Sequence, residues 1–370
     1  MRTIVIAGAR PNFVKVAPLL RSLGEVGADP VLVHTGQHYD FAMSESLFVD
    51  LGIPAPDVNL GVGSASHGVQ TATVMSAFDA WLDDNKADQV VTVGDVNSTV
   101  ACALVAVKRG LPVAHVEAGL RSFDRTMPEE ANRVVVDALS TWLFTPSADA
   151  DENLRAEGVD SSRIHRVGNI MVDSLLASVD RAMHSTVRDD LDLEAPFGLI
   201  TLHRPALVDD AARLRDVLIA LQDIATELRL VFPVHPRTRA NLDRFGLSEL
   251  AACLQLVEPL RYLDFLRLQA DATVVFTDSG GIQEETTVLG VPCLTLRENT
   301  ERPITITEGT NQLVGLDPDR IRSAFFGLDP SQRGRRPELW DGQTAARTAD
   351  ILMRGTPDVV WQPRAFAFQG

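Results

Sequence analysis

A chain of 370 residues that is 45% hydrophobic has enough apolar side chains for roughly two or three conventional cores. Its 34 basic and 50 acidic residues leave a formal net charge of −16. That balance argues against a broad nucleic-acid or anionic-membrane footprint, so any phosphate must be held locally. The start, MRTIVIAGAR, enters a strand pattern at once, and no apolar run reaches about 18 residues, so neither export nor membrane insertion is expected. Cys102, Cys253 and Cys293 are odd in number, far apart and set in apolar runs. They are expected to be reduced core residues of a cytoplasmic protein, without a disulfide frame or zinc site.

In chain order, TIVIAGA, PVLVHT, QVVTVGD, PVAHVEAG and WLFTPS read as strands, each followed by apolar positions at helical spacing. After the polar span RAMHSTVRDDLDLEAPFG the alternation resumes with LITLHRP, RLVFPVHP, CLQLVEP, ATVVFTDSGG and PCLTLRE. This βα repeat predicts two α/β units with parallel sheets, joined near residues 168 to 195. Parallel sheets carry ligands at the carboxyl ends of their strands, and here those ends are charged. Arg10 follows the first strand, with Pro11 suited to a helix start and Lys15 one turn on, an arrangement that favours an anion. Asp95 and Glu117 end two consecutive strands, and RTMPEEANR can return Glu129 to the same edge. Three carboxylates in one cleft are expected to raise one another's pKa.

The second half supplies the opposite charge. TLHRP places His203 and Arg204 at a strand end, and FPVHPRTR does the same with His235 and Arg237. In TDSGGIQEE, Ser279, Gly280 and Gly281 precede a helix, which predicts backbone N–H groups for a phosphate and, one turn in, a carboxylate at Glu285 for a ribose diol. GVGSAS has Ser66 where a dinucleotide fingerprint needs glycine, and no strand is predicted before it. With no Walker motif, HExxH or paired Cys/His spacing, neither a cofactor nor a metal is expected.

The segments GARPNFVKVAPL, TGQHYD, VGDVNST, HVEAGLRSFDRTMPEEANR, FTPS, VGN, PVHPRT, TDSGGIQEE, GVPCLTLRENTERP and EGTNQLVG span nearly the whole chain. In order and spacing they resemble the non-hydrolysing UDP-N-acetylglucosamine 2-epimerases. The resemblance implies a glycosyltransferase-B-like arrangement, two Rossmann-like domains facing across a cleft. Residues 1–170 would carry the acids and 171–354 the UDP, with the final helix crossing back and the tail, about 355–370, packing on the first domain. It implies a cytoplasmic homodimer that acts on a UDP-sugar, makes UDP-N-acetylmannosamine for glycoconjugate synthesis, and uses no cofactor. Asp95, Glu117, Glu129 and His203 fall on the family's catalytic positions. Arg10, Lys15, Arg204, His235, Arg237, Ser279, Gly280, Gly281, Glu285 and Arg302 fall on its substrate and UDP positions.

Ala9, Asn12, Pro205 and Ile304 depart from the family's usual pattern. They leave open relatives that act on 2,3-diacetamido or uronic-acid sugars. A hydrolysing epimerase and a transferase of the same fold are the remaining alternatives. Many bacterial members take a second UDP-N-acetylglucosamine as activator near a QH segment; this chain has Gln37 and His38 but Asp40 where those members place a glutamine. A carboxylate there cannot donate an amide hydrogen bond to a diphosphate, so a weakened activator requirement is expected.

Overall fold

The computed structural model describes residues 1–8, 10–36, 48–193, 196–329 and 334–355. Among them, β1 (Arg2–Ala7), β2 (Asp29–His34), β3 (Val58–Asn59), β4 (Gln89–Val93), β5 (Val113–Val116), β6 (Trp142–Thr145) and β7 (Ile164–Arg166) form one sheet in the order β3-β2-β1-β4-β5-β6-β7. A second sheet runs β10-β9-β8-β11-β12-β13, from β8 (Phe197–Thr201), β9 (Arg229–Pro233), β10 (Gln255–Val257), β11 (Val274–Thr277), β12 (Cys293–Thr295) and β13 (Asn311–Leu313). Neighbouring strands pair in parallel in both sheets.

Such strands need apolar residues on both faces because helices cover both. On β1, Val5 faces a core with Phe13, Val16, Leu19 and Trp142, while Ile4 and Ile6 face Val74, Phe78 and Ala106 on the other side. The second sheet repeats this, with Leu230 and Phe232 on one face and Val231 on the other. Strand order reverses between β1 and β4 in the first sheet and between β8 and β11 in the second. These switch points open crevices at the carboxyl ends of the strands.

The helix Thr344–Met353 inserts Ala345, Ala349 and Leu352 into the first sheet's core beside Phe13 and Trp142. Its first N–H groups are capped by Asp173, whose carboxylate accepts from Thr344 N at 3.2 Å and Ala345 N at 2.8 Å. No described helix is long and apolar enough to cross a membrane.

The structure corrects three details of the sequence reading. A strand does precede GVGSAS: β3 ends two residues before Gly61, and Ser66 is the N-cap of the helix His67–Asp84. β3, β7 and β13, edge strands of two or three residues, were not predicted. Cys253 is exposed, not buried, because the apolar run around it is a 3-10 turn, Leu250–Cys253.

The turn that follows β5 is packed with little tolerance. Gly119 has φ of 80°, and a Cβ there would lie 2.4 Å from the Ala150 carbonyl oxygen. Gly119→Ala should therefore cost roughly 2–4 kcal/mol from strain and overlap together. Urea denaturation showing a loss below about 1 kcal/mol would mean the turn can move aside.

Candidate active site

β4 and β5 lie side by side with Val93 opposite Val116, so the residues just beyond them, Asp95 and Glu117, are neighbours. Glu117 leaves its strand in a left-handed conformation, φ 70°. That backbone costs a non-glycine residue about 1 kcal/mol. The strained turn points a 5%-exposed carboxylate off the end of the sheet. Lys15, on the helix Arg10–Glu25, donates to its Oε2. Its Oε1 is buried without a hydrogen-bond partner, and the Arg302 guanidinium is 3.8 Å away. Asp95 forms an ion pair with Arg133, while Asn132 donates 2.8 Å to the Asp95 carbonyl. Arg133 also binds Glu130 at 2.6 Å, and Glu130 accepts from Ser122 N and Phe123 N, which fastens the loop before the helix Pro128–Leu139. The Glu129 side chain is half-buried and makes no hydrogen bond or ion pair with the described residues.

Across the crevice, buried Asp278 ties together the ends of β11 and β8. Its carboxylate accepts from His203 N at 3.0 Å and Arg204 N at 2.8 Å. The His203 ring stays partly exposed, with the His235 ring centroid 6.4 Å away. His235 caps the helix Pro236–Arg244 through Nδ1, and Arg237 turns away to an ion pair with Asp209. Ser279 is the N-cap of the helix Gly280–Leu289, and its hydroxyl makes no capping bond. A Cβ on Gly280 would sit 2.6 Å from Arg302 Nη1. Glycine there gives room to a guanidinium, in addition to any phosphate. A Cβ at Gly281 would meet only Met171, at 3.6 Å.

Arg302 is the hinge of the electrostatics. It lies 2.8 Å from Glu284, 2.6 Å from Glu301 and 3.8 Å from Glu117. Glu301 also meets Arg297 at 2.9 Å and Arg204 at 3.4 Å. Burial alone would raise the Glu301 carboxyl; Arg302, Arg297 and Arg204 overcome it and hold it far below the usual range. For Glu284 burial wins, helped by Glu117, and its pKa is raised despite Arg302 and Lys15. Burial likewise pushes Glu285 up to about 7, with the neighbouring Glu284 charge raising it further and the polar Gln269 side chain opposing.

The expectation that the clustered acids raise one another fails for Asp95. Burial opposes its ionisation, but Arg133, Lys15 and Arg302 hold its pKa below the ordinary value. The carboxyl raised next to Glu117 is instead Glu284. Arg133, Glu284, Arg297 and Glu301 were not singled out from sequence. Arg133 was detectable, lying one helical turn beyond Glu129 and three residues after Glu130. Arg297 and Glu301 were not, because their roles depend on how a loop folds over the Gly280 helix. Arg10 opens the helix Arg10–Glu25; its side chain, and all of Gln37, His38 and Asp40, lie outside the described residues.

Comparisons with known proteins agree with this architecture. A protein named UDP-N-acetylglucosamine 2-epimerase from Methanocaldococcus jannaschii is 39% identical over 364 residues, covering 96% of this chain and all of the relative. A crystal structure of the M. jannaschii enzyme in complex with UDP-GlcNAc and UDP superposes with a TM-score of 0.88 at 38% identity, over 96% of this chain and all of that one. A UDP-2,3-diacetamido-2,3-dideoxy-D-glucuronate 2-epimerase from Pseudomonas aeruginosa is 38% identical over 359 residues, again 96% of this chain and all of the relative. The sequence model of the family described as UDP-N-acetylglucosamine 2-epimerase matches residues 23–353. With two parallel α/β sheets in a glycosyltransferase-B-like arrangement and a match over nearly its whole length, the chain belongs to the UDP-N-acetylglucosamine 2-epimerase family, a family of isomerases.

Proposed function

We propose that the protein interconverts UDP-N-acetylglucosamine and UDP-N-acetylmannosamine by eliminating and re-adding UDP. The C2 hydrogen of the sugar is not beside a carbonyl, so direct deprotonation is too costly. When the C1–O bond to UDP breaks first, positive charge at C1 acidifies C2–H. A carboxylate takes that proton, a C1=C2 double bond forms, and 2-acetamidoglucal and UDP share the site. Re-addition of UDP at C1 with a proton delivered to the opposite face of C2 gives the manno isomer. Asp95, Glu117 and Glu129 are the proton carriers in this reading. The N-terminus of the Gly280 helix, Ser279, Arg10, His203 and Arg302 stabilise the departing UDP.

The observation that carries the reading is Glu117. It is strained, nearly buried, held by Lys15 on one oxygen and left without a hydrogen bond on the other. A residue in such a conformation persists when the surrounding structure requires it, which points to function. Within the same proposal, residues 1–170 carry the acids and 171–354 the UDP site. The protein works in the cytoplasm as a homodimer, without a cofactor; sedimentation as a monomer at micromolar concentration would remove the dimer.

The sugar is tested by comparing kcat/KM for UDP-N-acetylglucosamine with that for UDP-2,3-diacetamido-2,3-dideoxyglucuronate, the second reading that the P. aeruginosa relative supports. NMR should show UDP-N-acetylmannosamine as the product and the first substrate preferred. Preference for the diacetamido sugar would reassign the substrate, and accumulation of free N-acetylmannosamine would make the enzyme hydrolytic.

Glu285 is assigned to the ribose of UDP, which gives a pH test with a definite sign. Its carboxyl, ordinarily at 4.5, is pushed up to about 7 by burial, so the free protein favours the neutral form and a ribose diol favours the charged acceptor. Affinity for uridine should rise as pH climbs through about 7, and Glu285→Gln should abolish that rise. In the unliganded protein a raised carboxyl contributes stability that is full below about 4.5 and lost as pH approaches 7. The glutamine variant should therefore gain on wild type between pH 5 and 8, by of order 2 kcal/mol. Calorimetry giving parallel pH profiles for the two proteins would reject the assignment.

A further inference from the structure

We infer that the buried pair His115–Asp137 is a positioning dyad that holds the main chain of both proton-handling carboxylates, with a proton on each nitrogen of the His115 ring. The inference rests on the roles given above to Asp95 and Glu117.

His115 lies on β5, two residues before Glu117, and has no solvent exposure. Its Nδ1 is 2.6 Å from Asp137 Oδ1 and its Nε2 is 2.8 Å from the carbonyl oxygen of Gly94. A carbonyl oxygen can only accept. The partner carboxylate is also an acceptor, since its other oxygen takes Gly119 N at 3.1 Å and Arg121 Nη1 at 2.7 Å. Burial alone would raise Asp137, but His115 and Arg121 keep it below the ordinary range. Two acceptors facing one imidazole require both nitrogens to donate. The charge is balanced nearby: Arg121 pairs with Glu157, and Arg163 donates 3.1 Å to the Asp137 main-chain oxygen. On the other side of Gly94, the crevice holds Asp95 with Arg133, and Glu117 with Lys15.

The geometry gives this pair a task beyond filling the core. Gly94, with φ of 69°, is the residue at which the chain turns off β4 to present Asp95, and His115 fixes its carbonyl. Glu117 and Gly119, at 70° and 80°, form the turn off β5, and Asp137 fixes the Gly119 amide. One ion pair, brought from β5 and the helix Pro128–Leu139, therefore sets the direction of both strand ends. It touches neither substrate nor reacting atoms and acts through Asp95 and Glu117.

Nitrogen-15 NMR of the wild-type protein labelled at histidine, with His115→Gln to assign the signal, tests the protonation directly. Both His115 nitrogens should show the protonated, pyrrole-type signature at neutral pH; one pyridine-type nitrogen would overturn the proposal. The spectrum needs no substrate, so it stands or falls apart from the functional reading. His115→Gln and Asp137→Asn should then lower kcat per UDP-binding site roughly 10- to 100-fold, because a small misplacement of reacting groups is costly. The UDP dissociation constant should change less than about threefold, since UDP is held by the opposite strand ends. Counting sites by UDP calorimetry removes the effect of unfolded protein. A kcat per site close to wild type in the variant that folds would reduce the dyad to packing and overturn the positioning role.

Discussion

Replacing Glu117 by glutamine should lower turnover of UDP-N-acetylglucosamine by roughly 10²-fold or more, with UDP affinity nearly unchanged. Glutamine keeps the shape of the side chain and an oxygen for Lys15 but cannot take a proton from C2. The left-handed turn at Glu117 costs glutamine about as much as glutamate, and counting rates per UDP-binding site removes the effect of any protein unfolded by the loss of the Lys15 ion pair. Asp95→Asn should behave alike, because Arg133 and Asn132 hold that residue through groups the amide partly retains. Steady-state rates with UDP calorimetry separate the two effects, since loss of an interaction made only in the transition state lowers kcat and leaves binding intact. A near-normal rate in either variant removes that residue from the proton-transfer set, and Glu129→Gln is judged by the same standard.

Arg302→Met should be the most damaging single change for stability. The guanidinium is the shared counterion of Glu284, Glu301 and Glu117, all nearly buried. Removing one partner of a buried ion pair leaves uncompensated charge and costs about 3–5 kcal/mol. The pH dependence has a definite sign. Without Arg302 the carboxyls of Glu284 and Glu301 lose a cation that lowers their folded-state pKa, and a carboxyl whose folded-state pKa rises loses stability as pH climbs from its old folded value to its new one. Glu301, which Arg302 helps hold far below the usual range, contributes its share of the deficit already at pH 5. Glu284, whose pKa is raised, adds its share as pH climbs, so the deficit should be present at pH 5 and larger at pH 8. Urea denaturation at the two pH values checks it. A deficit of equal size at both would mean that the Glu284 carboxyl does not depend on Arg302 for its charge.

How much of this was legible in the sequence follows from what each feature depends on. The parallel sheets were readable because Ile4, Val5 and Ile6, like Leu230, Val231 and Phe232, are apolar on both faces of a strand. The adjacency of Asp95 and Glu117 followed from βα order alone. The edge strands β3, β7 and β13 were not read, because two or three residues carry no period of their own; β10, equally short, was read only through the longer run CLQLVEP around it. The sign of the Asp95 shift was missed for a different reason. Sequence shows that acids converge, but the cations that answer them, Arg133 and Arg302, come from a helix face and from a loop of the other sheet. The same holds for Gly280, whose missing side chain makes room for Arg302.

The central claim, that UDP leaves and C2 exchanges its proton before UDP returns, is tested most directly in D₂O. The enzyme is incubated with protiated UDP-N-acetylglucosamine and the UDP-sugars are followed by proton and carbon NMR. The account predicts UDP-N-acetylmannosamine carrying deuterium at C2, deuterium appearing at C2 of the remaining UDP-N-acetylglucosamine, and both losing the label's entry in Glu117→Gln. Epimerised product that retains protium at C2 would contradict it, because no elimination through a C2 carboxylate base can invert that carbon without releasing its hydrogen.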